Sequence, residues 1–196
     1  MADINYKITF YSDWHAGSGL TSGSDLDALV IKSKDGLPFI PGRTLKGLLK
    51  DAALSIKELK NDPVMDDFID RTFGKENKPS SGNEGDDKNE MGNAYFTNAE
   101  LNSLLKIKVL KEKLSIYFFN EIASTAIKPE GIALPHSLRK MQVTIPLVLE
   151  ASILNVEDDH KQAIIDTLRW IKRLGQNRNH GLGRCKFEFV KEGGNQ

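Results

Sequence analysis

Residues 38–49 read Pro38-Phe39-Ile40-Pro41-Gly42-Arg43-Thr44-Leu45-Lys46-Gly47-Leu48-Leu49. Thr44 is of the type that caps a helix, and behind it Leu45, Leu48, Leu49, Ala52, Ile56 and Leu59 recur three and four residues apart. That spacing predicts a helix with one buried face. Immediately upstream, Lys34-Asp35-Gly36-Leu37-Pro38 has the Asp-Gly and Pro chemistry of a turn. Ahead of the turn, Tyr6–Tyr11 alternates polar with apolar, β-branched and aromatic residues, which predicts a strand, and Ala28–Ser33 reads as a second strand. A Gly/Ser-rich loop, residues 16–24, separates them.

Downstream, Asp62 and Pro63 suit the cap and first turn of a short helix carrying Val64, Met65, Phe68, Ile69 and Phe73. Residues 74–92 are polar and acidic with almost nothing to bury, so 62–93 reads as a helical and acidic flexible insertion. Residues 94–97 predict a short strand, 102–113 fit either helix or strand, and 115–119 resemble a strand. Residues 121–141 read as a protruding arm. The longest strand signal is 142–154, after which Asp158 or Asp159 caps an amphipathic helix carrying Ile164, Ile165, Leu168, Ile171 and Leu174 and ending at Gly175. Cys185–Val190 is the last strand, followed by a frayed tail. Helices and strands do not alternate strictly, so 1–196 is expected to be one α+β domain with helices packed on an antiparallel sheet.

With 39% hydrophobic and 28% charged residues the chain is globular rather than disordered. Its 196 residues suffice for a core without disulfides, and the single Cys185 suits a reducing compartment. No run is apolar enough for a membrane span and the start lacks a signal-peptide layout, so a cytoplasmic location is expected, with no membrane partner. Twenty-seven basic residues balance 27 acidic ones. The balance is uneven along the chain, however: residues 62–100 hold ten acids and four bases, leaving a surplus of six positive charges elsewhere. Residues 169–186 hold six bases and no acid, a local anion-binding hint that a solvated helix face also explains.

Neither a dinucleotide fingerprint nor a P-loop is present, and no Gly-x-Ser-x-Gly elbow. The loop Asn177-Arg178-Asn179-His180-Gly181-Leu182-Gly183-Arg184 combines glycines that permit close backbone approach to a ligand with donors suited to phosphate. His15, His136, His160 and His180 have no metal-ligand spacing; His160 reads as plain surface, and His15 as a structural hydrogen-bonder or an acid/base. Asp25 and Asp27 form an acidic pair able to hold Mg²⁺ or orient a nucleophile.

Taken in order, the Gly/Ser loop after the first strand, Ile40-Pro41-Gly42-Arg43-Thr44-Leu45-Lys46-Gly47 and the late Gly181-Leu182-Gly183-Arg184 resemble the RAMP superfamily of CRISPR proteins. The helix-opening segment is close to the Ile-Pro-Gly-Ser-Ser-Leu-Lys-Gly of the backbone subunits of type III effector complexes. Tyr95–Ala99 is similar to their strand ending in Ser-Asp-Ala, and residues 126–139 to their thumb hairpin. The resemblance implies a ferredoxin-like, RNA-recognition-type fold with an inserted thumb at 121–141. It implies assembly as a filament of copies or homologues, with other RAMP subunits, on a CRISPR guide RNA facing a target RNA. Guide contacts fall on Arg43, Lys46, Lys50, Arg139, Arg178, His180, Gly181, Gly183 and Arg184. In catalytic members an Asp ahead of the second strand cleaves target RNA with divalent metal. Here that residue is Asp27, with Asp25 as the alternate and Mg²⁺ the metal at Asp27.

Ala28-Leu29 stands where the family has Asn-Pro after the catalytic Asp, and this departure leans toward a non-catalytic architectural subunit. A further alternative is a metal-independent CRISPR repeat-processing endoribonuclease using His15 with a Lys or Tyr. An unrelated ferredoxin-like metabolic protein is the remaining one.

Overall fold

The computed structural model describes residues 1–22, 26–60, 64–75 and 90–190. Strand β1, Ala2–Phe10, is longer at its start than the sequence pattern indicates. Its alternation buries Ile4, Tyr6, Ile8 and Phe10 and exposes Asp3, Asn5 and Lys7. Beside it run β4 (Tyr95–Phe96), β7 (Val148–Val156) and β8 (Cys185–Phe189), in the antiparallel order β4-β7-β1-β8. Helices α1 (Gly42–Lys60) and α4 (Lys161–Trp170) cross between these strands. Two split β-α-β units therefore interleave, the ferredoxin-like arrangement. The core lies between that sheet face and Leu45, Leu49, Ala53 and Ile56 of α1 and Ile164 and Leu168 of α4.

Helix α1 begins at Gly42, two residues before the expected cap. Its orphan Gly42 N–H donates to Asn98 Oδ1 at 2.9 Å, so the cap comes from beyond β4 and Thr44 lies inside the first turn. A Cβ at Gly42 would sit 2.0 Å from Phe96 O, which is why glycine follows Ile40-Pro41. Ile56 is the last buried position, and Leu59, expected to face inward, is exposed in the final turn.

Helix α2 (Val64–Phe73) packs on α1 through Phe68 and Ile69, with Lys57 paired to Asp66. The expected cap at Asp62 and Pro63, the loop at 76–89 and the tail at 191–196 lie outside the described residues. Flanking 76–89, β2 (Gly74–Lys75) and β3 (Glu90–Met91) pair as a short ribbon. His160 departs from its surface reading: it is buried, edge-on to Phe68, with Nε2 3.4 Å from Asp67.

Four other expectations change. Residues 28–33 form no ladder, because bridges go to three separate partners, Ala28 to Met141, Val30 to Gly17 and Lys32 to Pro38. Asn102 Oδ1 accepts the Leu104 N–H and settles 103–111 as helix α3 (Ser103–Lys111), and Ser115–Phe118 is a 3-10 turn rather than a strand. The long strand signal at 142–154 is interrupted around Pro146, which has no N–H for a ladder. Its first part joins β6 (Arg139–Thr144), paired with β5 (Phe119–Ser124) in a separate ribbon. Lastly, α4 stops at Trp170 instead of Gly175: Ile171 is extended and the Leu174 N–H turns to Gly183 O at 2.9 Å.

Candidate nucleic-acid interface

The β5–β6 ribbon is rooted at the end of the sheet where β1 finishes. Thr144 and Trp14 exchange backbone hydrogen bonds of 2.8 and 2.9 Å, and the Trp14 indole donates to Ile145 O at 3.1 Å. His15 is 1% exposed, with Nδ1 2.6 Å from Gln142 O. That position makes it a brace between the first loop and β6, beneath the surface a substrate would touch. Beyond the root the ribbon has little cover: Ile127, Ile132, Leu134 and Leu138 are exposed around its tip, as is His136. These apolar side chains outside the core form a wedge.

Asp27 lies alongside β6. Its N–H donates to Lys140 O at 2.8 Å, and its Oδ2 accepts the Lys140 N–H at 2.8 Å. The carboxylate is exposed with one oxygen so engaged. Among the described residues no group of three His, Cys, Asp or Glu gathers as a metal cage, and Asp25 lies outside them. A lone exposed carboxylate does fit Mg²⁺, which is commonly held by one or two carboxylates together with waters and substrate phosphates.

The late glycine loop reaches the ribbon through Asn177, whose Nδ2 contacts Met141 Sδ at 3.2 Å. Arg178 and His180 are exposed on it, and the Arg173 guanidinium donates to Arg178 O at 2.9 Å. Arg184 is exposed, its guanidinium 5.9 Å from the Tyr11 ring centre. The two glycines differ. At Gly183 (φ +68°) a Cβ would lie 1.8 Å from Leu174 O, so this glycine serves the chain's own packing rather than approach to a ligand. Gly181 (φ +91°) has open space around it and keeps that approach available.

The structure thus places Arg178, His180, Gly181 and Arg184 at the end of the sheet from which the ribbon springs, and Asp27, Arg139 and Lys140 farther out along β6. Arg43 and Lys46 stand apart on the first turns of α1, and Lys50 turns toward β2, its Nζ 3.4 Å from Gly74 O. The open sheet face is not part of this surface. Lys7 pairs with Glu150 at 3.1 Å, Lys186 with Glu188 at 2.6 Å and Ser152 with Asn5 at 2.6 Å. Outward positions of β1, β7 and β8 present no aromatic, and the edge strand β4 presents Tyr95 alone, fewer than the paired stacking aromatics of RNA-recognition motifs. The sequence singled out the loop that begins at Asn177 but not its contact with Met141, nor Lys140 beside Asp27; the Arg139-Lys140 pair after the arm was the available signal for the latter.

Among the described residues no helix is long and apolar enough to cross a membrane. The chain is similar to one in the cryo-EM structure of type III-B Cmr-beta bound to cognate target RNA, with a TM-score of 0.68 and 14% identity over 96% of this chain and 97% of that one. It is also similar to one in the apo state of type III-B Cmr-beta, with a TM-score of 0.67 and 14% identity over 97% and 98%. No curated protein sequence matches it. The family model of the RAMP superfamily matches residues 7–186, nearly the whole chain including both glycine loops and the ribbon, and the chain belongs to that superfamily.

Proposed function

We propose that the chain is a subunit of a type III CRISPR effector complex that holds guide RNA by its sugar–phosphate backbone along the ribbon and the neighbouring glycine loop, with other RAMP subunits as neighbours. The observation that carries this is the presence there of Arg139, Lys140, Arg178 and Arg184. Among the described residues none of the four is in an ion pair, so their charge is available to phosphate. Gly181 allows the RNA backbone to approach the loop. The apolar tip, Ile127, Ile132, Leu134 and Leu138, inserts between bases and opens the guide–target duplex locally, exposing a kinked target phosphate. The test is binding of a short single-stranded RNA to the full chain at increasing salt. A K-observed that falls steeply with salt supports the reading, and salt-insensitive or absent binding ends it.

Target cleavage at Asp27 is the second element. Mg²⁺ held by Asp27 and the RNA would supply charge stabilisation at the reacting phosphate. Asp27 would orient that charge, while its bond to the Lys140 N–H fixes the carboxylate relative to β6. A complex carrying Asp27→Ala that cuts target RNA at the unaltered rate in Mg²⁺ would leave an architectural subunit. That reading is favoured by Ala28-Leu29 after Asp27 and by the engagement of Oδ2.

A further inference from the structure

The ribbon has two faces. Side chains alternate along β6, so Met141, which meets Asn177 of the glycine loop, points opposite to Gln142 and Thr144. On the Gln142 side a cleft of about 330 Å³ opens between the ribbon, Lys32 and the 3-10 turn at Ser115. Its chemistry is mixed and specific. Glu121 and Gln142 are cross-strand partners, which sets a carboxylate beside an amide. Gln142 Oε1 is buried and accepts no hydrogen bond among the described residues, a standing cost until a donor reaches it. Lys32 Nζ lies 4.1 Å from the centre of the Phe119 ring, and burial lowers the pKa of its ammonium.

The ligand that answers these groups is planar, offers two adjacent N–H donors to neighbouring acceptors, and carries an acceptor for Lys32. An arginine side chain meets the first two conditions but is repelled by the lysine. Adenine, cytosine and uracil each present one donor group on the pairing edge. Guanine presents N1–H and the N2 amine side by side, with O6 next to them. We propose that this cleft is a guanine-recognition site, in which Glu121 and Gln142 accept from N1–H and N2–H, Lys32 donates to O6, and Phe119 packs against the base. The base comes from a free nucleotide or from an unpaired position in bound RNA, and only the second source rests on the RNA-binding reading.

The experiment is calorimetric titration of the full chain with GMP, IMP, AMP, CMP and UMP, followed by binding of an oligouridine RNA with and without one central guanosine. GMP is expected to bind at least about tenfold tighter than AMP, CMP or UMP, and IMP, which lacks the N2 amine, to fall between. A GMP preference without an RNA preference identifies a free-nucleotide site; an RNA preference alone identifies recognition within a strand. In Glu121→Gln, a near-isosteric change on an exposed strand position, the guanine preference should disappear, and Lys32→Met should weaken it separately. Equal affinity for all the nucleotides and both RNAs, or a preference that survives Glu121→Gln, overturns the proposal. If neither RNA binds, the effector-subunit reading fails while the mononucleotide arm still decides this one.

Discussion

At the end of the sheet where β1 begins, charge is spent within the molecule: the amino terminus meets Asp158 at 3.0 Å, Arg71 bridges Asp67 and Glu157 at 2.8 and 3.4 Å, and His160 lies 3.4 Å from Asp67. At the other end, past Phe10, the exposed Arg184 guanidinium faces the Tyr11 ring, and neither it nor the exposed Arg139 and Arg178 meets a carboxylate among the described residues. Apolar side chains divide between core and ribbon. Ile8, Leu149 and Ile153 are fully buried in the sheet, whereas Ile132 and Leu138 stand in solvent on the ribbon. The core and the end where β1 begins pair their charges and bury their apolar side chains, while the ribbon and the glycine loop leave both in solvent. A single substitution should therefore affect folding or binding according to whether its side chain packs inside the domain or stands in solvent on the ribbon and glycine loop.

The largest expected effect is at the core. Leu149→Ala should cost about 2–5 kcal/mol in urea unfolding, whereas Ile132→Ala should stay within about 0.5 kcal/mol. A comparable loss at the tip would mean that the wedge packs against the domain. Next comes the glycine pair. Gly183→Ala and Gly181→Ala both place an L residue at positive φ, but only the first drives a Cβ into a carbonyl, that of Leu174. Gly183→Ala should therefore lose about 1–3 kcal/mol, measured by thermal melting, and Gly181→Ala clearly less. Equal losses would dissolve the distinction between a packing glycine and an open one.

The glycines also show where sequence reasoning reached and where it stopped. The period of Tyr6, Ile8 and Phe10 announced β1, though not its start, and the helical spacing behind Leu45 announced α1, because both are local patterns in the chain. The α+β class and the family motifs followed from their order. What stayed hidden depends on distant partners. Asn98 caps α1 from 56 residues away, Lys140 fixes Asp27 across 113, and residues 28–33 bridge to three segments instead of joining one strand. Gly181 and Gly183 look equivalent in sequence, and only the proximity of Leu174 separates them. The surplus positive charge could be counted, but its placement along the ribbon and the glycine loop could not.

A smaller effect, on binding alone, tests that placement. Arg139→Ala and Arg178→Ala should each lower the salt slope of RNA binding by about one counterion while leaving the melting temperature unchanged. Lys7→Ala, on the paired sheet face, should alter neither measurably. A slope change from Lys7 equal to that from Arg178 would move the interface to the open sheet.

The finest test uses pH, since burial shifts a core thiol and a ribbon-side ammonium in opposite senses. Cys185, inside the sheet, has its thiol pushed from 9.0 up to about 12 by desolvation, with Lys172 opposing weakly. Its folded pKa is above the unfolded one, so the stability it contributes is complete below pH 9 and lost as pH climbs toward 12. Lys32, beside the ribbon, has its pKa lowered from 10.5 by desolvation. There the folded state releases its proton first, so the penalty for holding the ammonium is relieved as pH rises through the lowered value. Melting temperatures between pH 8 and 11 should show this as a difference between variants. Relative to the parent, Cys185→Ala should lack part of the alkaline decline, and Lys32→Met should decline more steeply. Parallel curves for all three proteins would mean that neither group is as desolvated as its surroundings indicate, and the contrast would then rest on packing and unpaired charge alone.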